Sequence, residues 1–161
     1  MKPVSIGLIL MLLTTFPELS AVRRQYVEAA TSEESAGSFH KSFSAISDTH
    51  ADNTLLAYKA ASIILMAKYE GNFISKARLF NKGTNLLELV IKKDATNFEA
   101  RLIRLNIQDN VPWITGYTGN IKEDKAFLLK NFATQPEDLK AFAKSYIKQS
   151  GAFTDKEKGQ L

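Results

Sequence analysis

Between Thr84 and Asp124 the apolar residues recur at the three- and four-residue steps of an α-helix. Leu86, Leu87, Val90 and Ile91 lay a stripe along one face of a first helix. Lys92 and Lys93 follow in its last turn, where cations suit the negative end of the helix dipole, so the helix is predicted to stop near Asp94. Asn97 is placed to cap a second helix, because its side-chain oxygen can accept from one of the free N–H groups of the first turn. Phe98, Leu102 and Leu105 form the stripe of that helix. A connection of only a few residues makes the two antiparallel.

The same periodicity extends to both sides. Upstream, Val22, Tyr26 and Ala29 or Ala30 mark a first helix of the mature chain, and Ser32 opens another with Phe39, Phe43 and Ile46 on its buried face. Gly37 weakens that helix by about 1 kcal/mol relative to alanine. Asp52 or Asn53 caps a third helix, Thr54 to Tyr69, whose apolar residues cover most of its circumference and therefore call for neighbours on more than one side. Ala57, Ala60 and Ala61 permit close helix approach there; a Met-and-alanine groove is the alternative use of the same face. Ser75 is the candidate cap of the fourth helix, which runs through Phe80, Leu87 and Val90 with Gly83 as its weak point. Downstream, Asn120-Ile121-Lys122-Glu123 reads as a capping box opening a sixth helix, and Thr134-Gln135-Pro136-Glu137 as one opening a seventh with the stripe Leu139, Phe142, Ala143, Tyr146 and Ile147. Gly151 suits the end of that helix. Residues 151–161 are predicted to be a charged, frayed tail in which Thr154 to Glu157 can form one last turn.

The junction Asp94-Ala95-Thr96-Asn97-Phe98-Glu99-Ala100 resembles the Asp-Pro-x-Asn-x-x-Ala junction between tetratricopeptide (TPR) helices, with Ala95 in the place of the proline. More broadly, residues 57–127 resemble an uncharacterised family of short exported bacterial proteins with TPR-like helical repeats. The matching pieces are Ala57-Tyr58-Lys59-Ala60-Ala61, Met66-Ala67-Lys68, Glu99-Ala100-Arg101-Leu102-Ile103-Arg104, Gly116-Tyr117 and Asn120-Ile121-Lys122-Glu123-Asp124-Lys125. The resemblance implies an all-α fold of antiparallel helical hairpins in a TPR-like superhelix, about seven helices in all, and it implies no activity. Set Ala57 against Ala100, and a turn-then-helix layout recurs after 43 residues, longer than the usual TPR period of about 34.

The N-terminus changes the picture of where the chain works. Met1-Lys2-Pro3 precedes an apolar run from Val4 to Phe16, which is shorter than the roughly twenty residues a membrane span needs and has the size of a signal-peptide core. Leu19-Ser20-Ala21 offers a cleavage site. The expectation is a signal peptide over residues 1–21, a helical domain over 22–150, and export to the periplasm or cell envelope with no membrane span remaining. An uncleaved N-terminal anchor is the alternative. The chain has no cysteine, which excludes disulfides, thiol catalysis and cysteine metal sites. Its formal charge of +4 comes from lysines and arginines scattered among nearly as many acids, a pattern that points to a solvated surface and away from nucleic acid.

Candidate chemistry is sparse. His40 and His50, the only histidines, do not have metal-ligand spacing, and no nucleophile elbow or phosphate-binding glycine loop is present. No catalytic residue, cofactor or metal is predicted, and the chain is read as a non-enzyme. The candidate binding surface consists of Arg101 and Arg104, three apart on one helix face, and of Trp113 and Tyr117 in the Pro/Gly-marked loop Asp109–Gly119. The arginines either bind an anion or, the favoured reading, pair with Asp109, Glu123 or Asp124. The loop either forms a pocket for a small ligand or, again favoured, folds Trp113, Ile114 and Tyr117 back to seal the end of the core. The functional expectation is a protein- or peptide-binding scaffold module; a small-ligand binding protein or enzyme using Trp113 and Tyr117 is the alternative.

Overall fold

The computed structural model describes residues 18–161, and among them every regular element is helical: α1 Leu19–Ala29, α2 Glu33–Ser42, α3 Asn53–Tyr69, α4 Phe73–Lys93, α5 Phe98–Asn110, α6 Ile121–Asn131, α7 Glu137–Gln149 and α8 Asp155–Lys158. Short 3-10 turns follow α5 at Trp113–Thr115 and α6 at Phe132–Thr134. The apolar run from Val4 to Phe16, expected to be the core of a signal peptide, lies outside the described residues. Because α1 opens at Leu19, which packs on the core, the expected cleavage point after Ala21 falls inside its first turn.

Local chemistry explains most helix starts. Ser32, Asp52 and Asn97 each accept a backbone hydrogen bond from the first turn of α2, α3 and α5, at 3.1, 2.9 and 2.9 Å. Three expected caps are corrected. Asn72, not Ser75, caps α4, with Ser75 N donating to Asn72 Oδ1 at 3.0 Å. Asn120 precedes α6 without capping it, because its side chain is turned to Gln108 while Glu123 is drawn to Arg101. At α7 the N-cap is Pro136, and the Thr134 hydroxyl instead donates to Asn131 O at 2.9 Å.

Two hydrophobic clusters fill the interior, and α5 supplies both. Ala100, Ile103 and Ile107 join the cluster of α1 to α4, which holds the aromatic group Tyr26, Phe39, Phe43 and Tyr58. Phe98, Leu102 and Leu105 join the cluster of α6, α7 and the C-terminus. The tail expected to fray is folded against this second cluster. Phe153 is buried in it, Thr154 and Glu157 form a reciprocal capping box, and Lys125 pairs with Glu157 at 3.1 Å. An apolar anchor and a satisfied helix start outweigh the entropy of a charged tail.

The turn Glu70–Asn72 sends α4 back along α3, and the two helices approach closely at Gly83. A Cβ there would lie 2.5 Å from Ile64 Cγ1 and 2.8 Å from Ala60 O. Gly83 therefore makes room for α3, which its low helix propensity does not reveal. The starts of α3 and α5 lie side by side, with Asn97 Nδ2 donating to Thr54 Oγ1 at 3.1 Å.

Two glycines in helices should consequently respond in opposite directions. Gly83→Ala is expected to destabilise by about 1–3 kcal/mol through overpacking, even after its gain in helix propensity. Gly37→Ala, with no atom within 4 Å of the new Cβ, is expected to stabilise by up to about 1 kcal/mol. Urea unfolding followed by circular dichroism measures both.

Candidate functional site

Besides its two apolar faces, α5 carries buried polar side chains that reach almost every other long helix. Glu99 accepts from Arg23 of α1 at 2.7 and 2.9 Å and from the Tyr58 hydroxyl of α3. The remaining Arg23 arm reaches Asp138 of α7 at 2.6 Å. Asp109, near the end of α5, accepts from Ser150 at 2.6 Å and from the Tyr146 hydroxyl at 3.1 Å.

Arg101 and Arg104 belong to this buried set. Arg104 grips Asp124 of α6 through Nε at 2.6 Å and Nη2 at 2.7 Å, and its third arm holds Glu88 of α4 at 2.7 Å. Arg101 reaches Asp124 at 2.9 Å and Glu123 at 2.8 Å, donates to Ala95 O at 2.8 Å, and lies over the Phe127 ring at 4.5 Å. Both guanidiniums are buried, and Asp124 has no exposed surface. Burial works against the charged form of Arg104, and its carboxylate partners more than offset this and raise its pKa. Arg101 holds the Glu123 carboxyl below its ordinary range. These arginines are structural partners of Glu123 and Asp124, not an open anion site, and Asp109 takes no part because it faces α7.

The loop after α5 is braced on both sides. Val111 packs on the first core cluster, and the Tyr117 hydroxyl donates to Glu88 at 2.6 Å while its ring meets Phe80 edge-on at 5.9 Å. Asn120 N donates to Gln108 Oε1 at 3.1 Å, and Gln108 Nε2 returns a bond to Asn120 Oδ1 at 3.2 Å. Between these anchors the chain makes one 3-10 turn closed by Gly116, which alone of the described residues has a positive φ, +69°. That value suits glycine because it has no Cβ to clash. Trp113 and Ile114 stand at the apex, 83% and 77% exposed. The expected sealing of the core is corrected for these two: Val111 and Tyr117 already turn inward, so the residues between them face outward. Tyr117 alone keeps the inward role.

One open groove of about 360 Å³ lies between α1 and α7, lined by Arg23, Arg24, Val27, Asp138 and Phe142. Another of about 420 Å³ lies on the outer face of α4, at Asn85, Glu88, Leu89 and Lys92. His40 Nδ1 sits 3.0 Å from Ser62 Oγ, but the Ser62 hydroxyl donates to Lys59 O at 2.7 Å and is not directed to a substrate space. Burial, with Lys82 and Lys59 nearby, lowers the His40 pKa. Among the described residues no three His, Asp or Glu side chains are placed to hold a metal ion. Sequence reasoning missed Glu88, Glu99 and Arg23, whose partners lie 16 to 115 residues away. Only Glu99 carries a signal, a charge followed by the apolar Leu102 and Ile103 on its own side of the helix; Glu88 and Arg23 have polar as well as apolar helical neighbours. No protein-family model, curated protein or solved structure matches the chain.

Two outcomes test this electrostatic interior. Asp124→Asn leaves two buried guanidiniums short of a charge and is expected to cost about 3–5 kcal/mol. Glu123→Gln, whose carboxylate is largely exposed, should cost under about 1 kcal/mol in the same urea series. Alkaline pH gives the second. Burial, aided by Glu99 at Tyr58 and by Glu88 at Tyr117, raises the phenol pKa of Tyr26, Tyr58, Tyr117 and Tyr146. Their contribution to stability is fully present below the unfolded phenol value of about 10 and is lost as pH rises above it. Tyrosinate absorbance from these four should therefore appear together with loss of the helical signal, and its appearance in a fully helical protein would count against their burial.

Proposed function

We propose that this chain is a non-catalytic binding module, built from helical hairpins in a TPR-like stack and exported to the periplasm or cell envelope, which docks on a macromolecular surface through the apex of the Trp113 loop. One observation carries the reading: a tryptophan and an isoleucine are held out in solvent on a turn braced at both ends. Large apolar side chains exposed at such a prominence are unfavourable in isolation and mark an interaction site. The bracing by Val111, Tyr117 and the Gln108–Asn120 pair supports it, since a preorganised tip loses little conformational freedom on docking.

The TPR-like arrangement is supported by the adjacent starts of α3 and α5 and by the 43-residue recurrence of the turn-then-helix layout. Membership of the exported TPR-like family rests on the residue pieces quoted above, and export on the leader pattern of residues 1–21. A protein or peptide is the partner that a helical-hairpin stack implies by analogy. Arg101 and Arg104 contribute by fixing α6 and the loop base against α4 and α5, not by touching the partner. A ligand pocket at Trp113 and Tyr117 has less support, because the Tyr117 hydroxyl is already taken by Glu88 and Trp113 has no wall beside it.

The single tryptophan makes the test direct. The full chain alone is expected to show the emission of a solvated indole, freely quenched by iodide. Adding an envelope fraction of the producing cells should shift the emission to the blue and protect it from iodide. Unchanged emission in the presence of that fraction overturns the docking role.

A further inference from the structure

The helix bounds reveal where the charge of the chain resides. Lys76, Arg78, Lys82, Lys92 and Lys93 lie on α4 against one acid, Glu88, which is already bound by Arg104 and Tyr117. That excess of four equals the formal charge of the whole protein, so the other sixteen lysines and arginines are matched by sixteen acids. Charge that looks scattered along the sequence sums to zero outside this helix, and no other described helix carries so large an excess: α3, the next, has two lysines and no acid.

Its placement on that helix is equally uneven. Leu86, Leu87, Val90 and Ile91 turn inward, and at 100° per residue Ile74, Arg78, Lys82, Leu89, Lys92 and Lys93 fall within an outward arc of about 100°. Arg78, Lys92 and Lys93 enter no ion pair among the described residues. The neighbouring Asp94 is turned into the α4–α5 junction, where it accepts from Thr96 and Asn97. Of the six exposed large apolar side chains among the described residues, Phe73, Ile74 and Leu89 are on α4, and Trp113 and Ile114 are on the turn that Tyr117 fastens to it; Val27 is the sixth.

We infer that the outer face of α4, together with the Trp113–Ile114 apex, docks on an anionic phospholipid surface. This rests on the docking role of the apex proposed above and puts a lipid surface in the place of the protein or peptide suggested there by analogy. Unpaired cations meet lipid phosphates, while the projecting Ile74, Leu89, Trp113 and Ile114 enter the headgroup boundary, where an indole is at home. Ile74 and Leu89 stand about 22 Å apart along the helix, and the open groove beside Leu89 does not join them into one concave patch. A folded protein would need to match each of them in shape, whereas fluid lipid does not. A nucleic acid would meet the cations but would offer nothing to the aliphatic side chains. No described helix is long and apolar enough to cross a membrane, so the contact lies in the plane of the interface.

The test uses the full chain with vesicles of phosphatidylcholine, with and without phosphatidylglycerol, and Trp113 emission as the signal. Residues 1–17 are common to every variant, so differences between variants report the α4 face. The wild type is expected to bind the anionic vesicles with a blue shift that weakens as salt is raised. Arg78→Glu/Lys92→Glu should lower affinity about thirtyfold or more, while Lys130→Glu/Lys148→Glu, with the same change in net charge on α6 and α7, should change it less than about threefold. Equal losses in the two variants, no anionic-lipid preference, or tight binding to a single-stranded oligonucleotide without vesicle binding overturns the inference. If lipid-stripped envelope protein shifts Trp113 and vesicles do not, the lipid inference falls and the docking role stands. If the whole envelope fraction, vesicles and stripped protein all leave Trp113 unchanged, both fall.

Discussion

A carboxylate with no exposed surface must be neutralised where it lies, and Asp124 is neutralised by two arginines from a single neighbouring helix. Arg104 binds it with two parallel hydrogen bonds and Arg101 adds a third, so the first turn of α6 is held in one orientation against α5. The remaining arms carry the constraint outward, through Glu123 on α6 and through Glu88 to α4 and the Tyr117 hydroxyl. Hydrophobic contact alone tolerates sliding between helices. A fan of directional bonds around one buried charge does not.

The same device works on another face of α5, where Glu99 draws in Arg23 and Tyr58 and ties α1 and α3 to the centre. Burial of ionic groups contributes little net stability, but it penalises every arrangement that leaves one of them without a partner. α5 consequently acts as an axle whose apolar faces feed both hydrophobic clusters and whose polar side chains set the angles of its neighbours. The rigid base that results is what allows the Trp113 turn to stand in solvent. It also separates two populations of cations, the internal arginines that hold the fold and the external row on α4 that remains available to a partner.

Much of the architecture was legible in the chain. The stripes at Val22 and Tyr26, Leu86 to Ile91, and Leu139 to Ile147 are buried as their spacing implies, and α3 is covered on several sides as its apolar content requires. Ser32, Asp52 and Asn97 cap because each lies just ahead of its helix with no competing partner for the oxygen. Asn120 and Thr134 have the right residue types and do not cap, because Gln108 and Asn131 O engage them first. The pairing of Arg101 and Arg104 with Glu123 and Asp124 could be anticipated from their charge and proximity in sequence. The roles of Glu88, Arg23 and Gly83 could not, since each depends on which side of its helix a neighbouring helix occupies, and the sequence pattern around them does not mark it.

The amino-acid order determined by itself the helices, most of their buried faces, and the absence of thiol chemistry, because periodicity, capping and composition act over one or two turns of chain. Only tertiary structure decided that Trp113 faces water while Tyr117 faces inward, that the two arginines are interior, and that the net charge gathers on an outward helix face. Those outcomes depend on which side of each helix a neighbour occupies, and that is set by long-range packing and the neutralisation of buried charge, interactions that no local window of sequence contains.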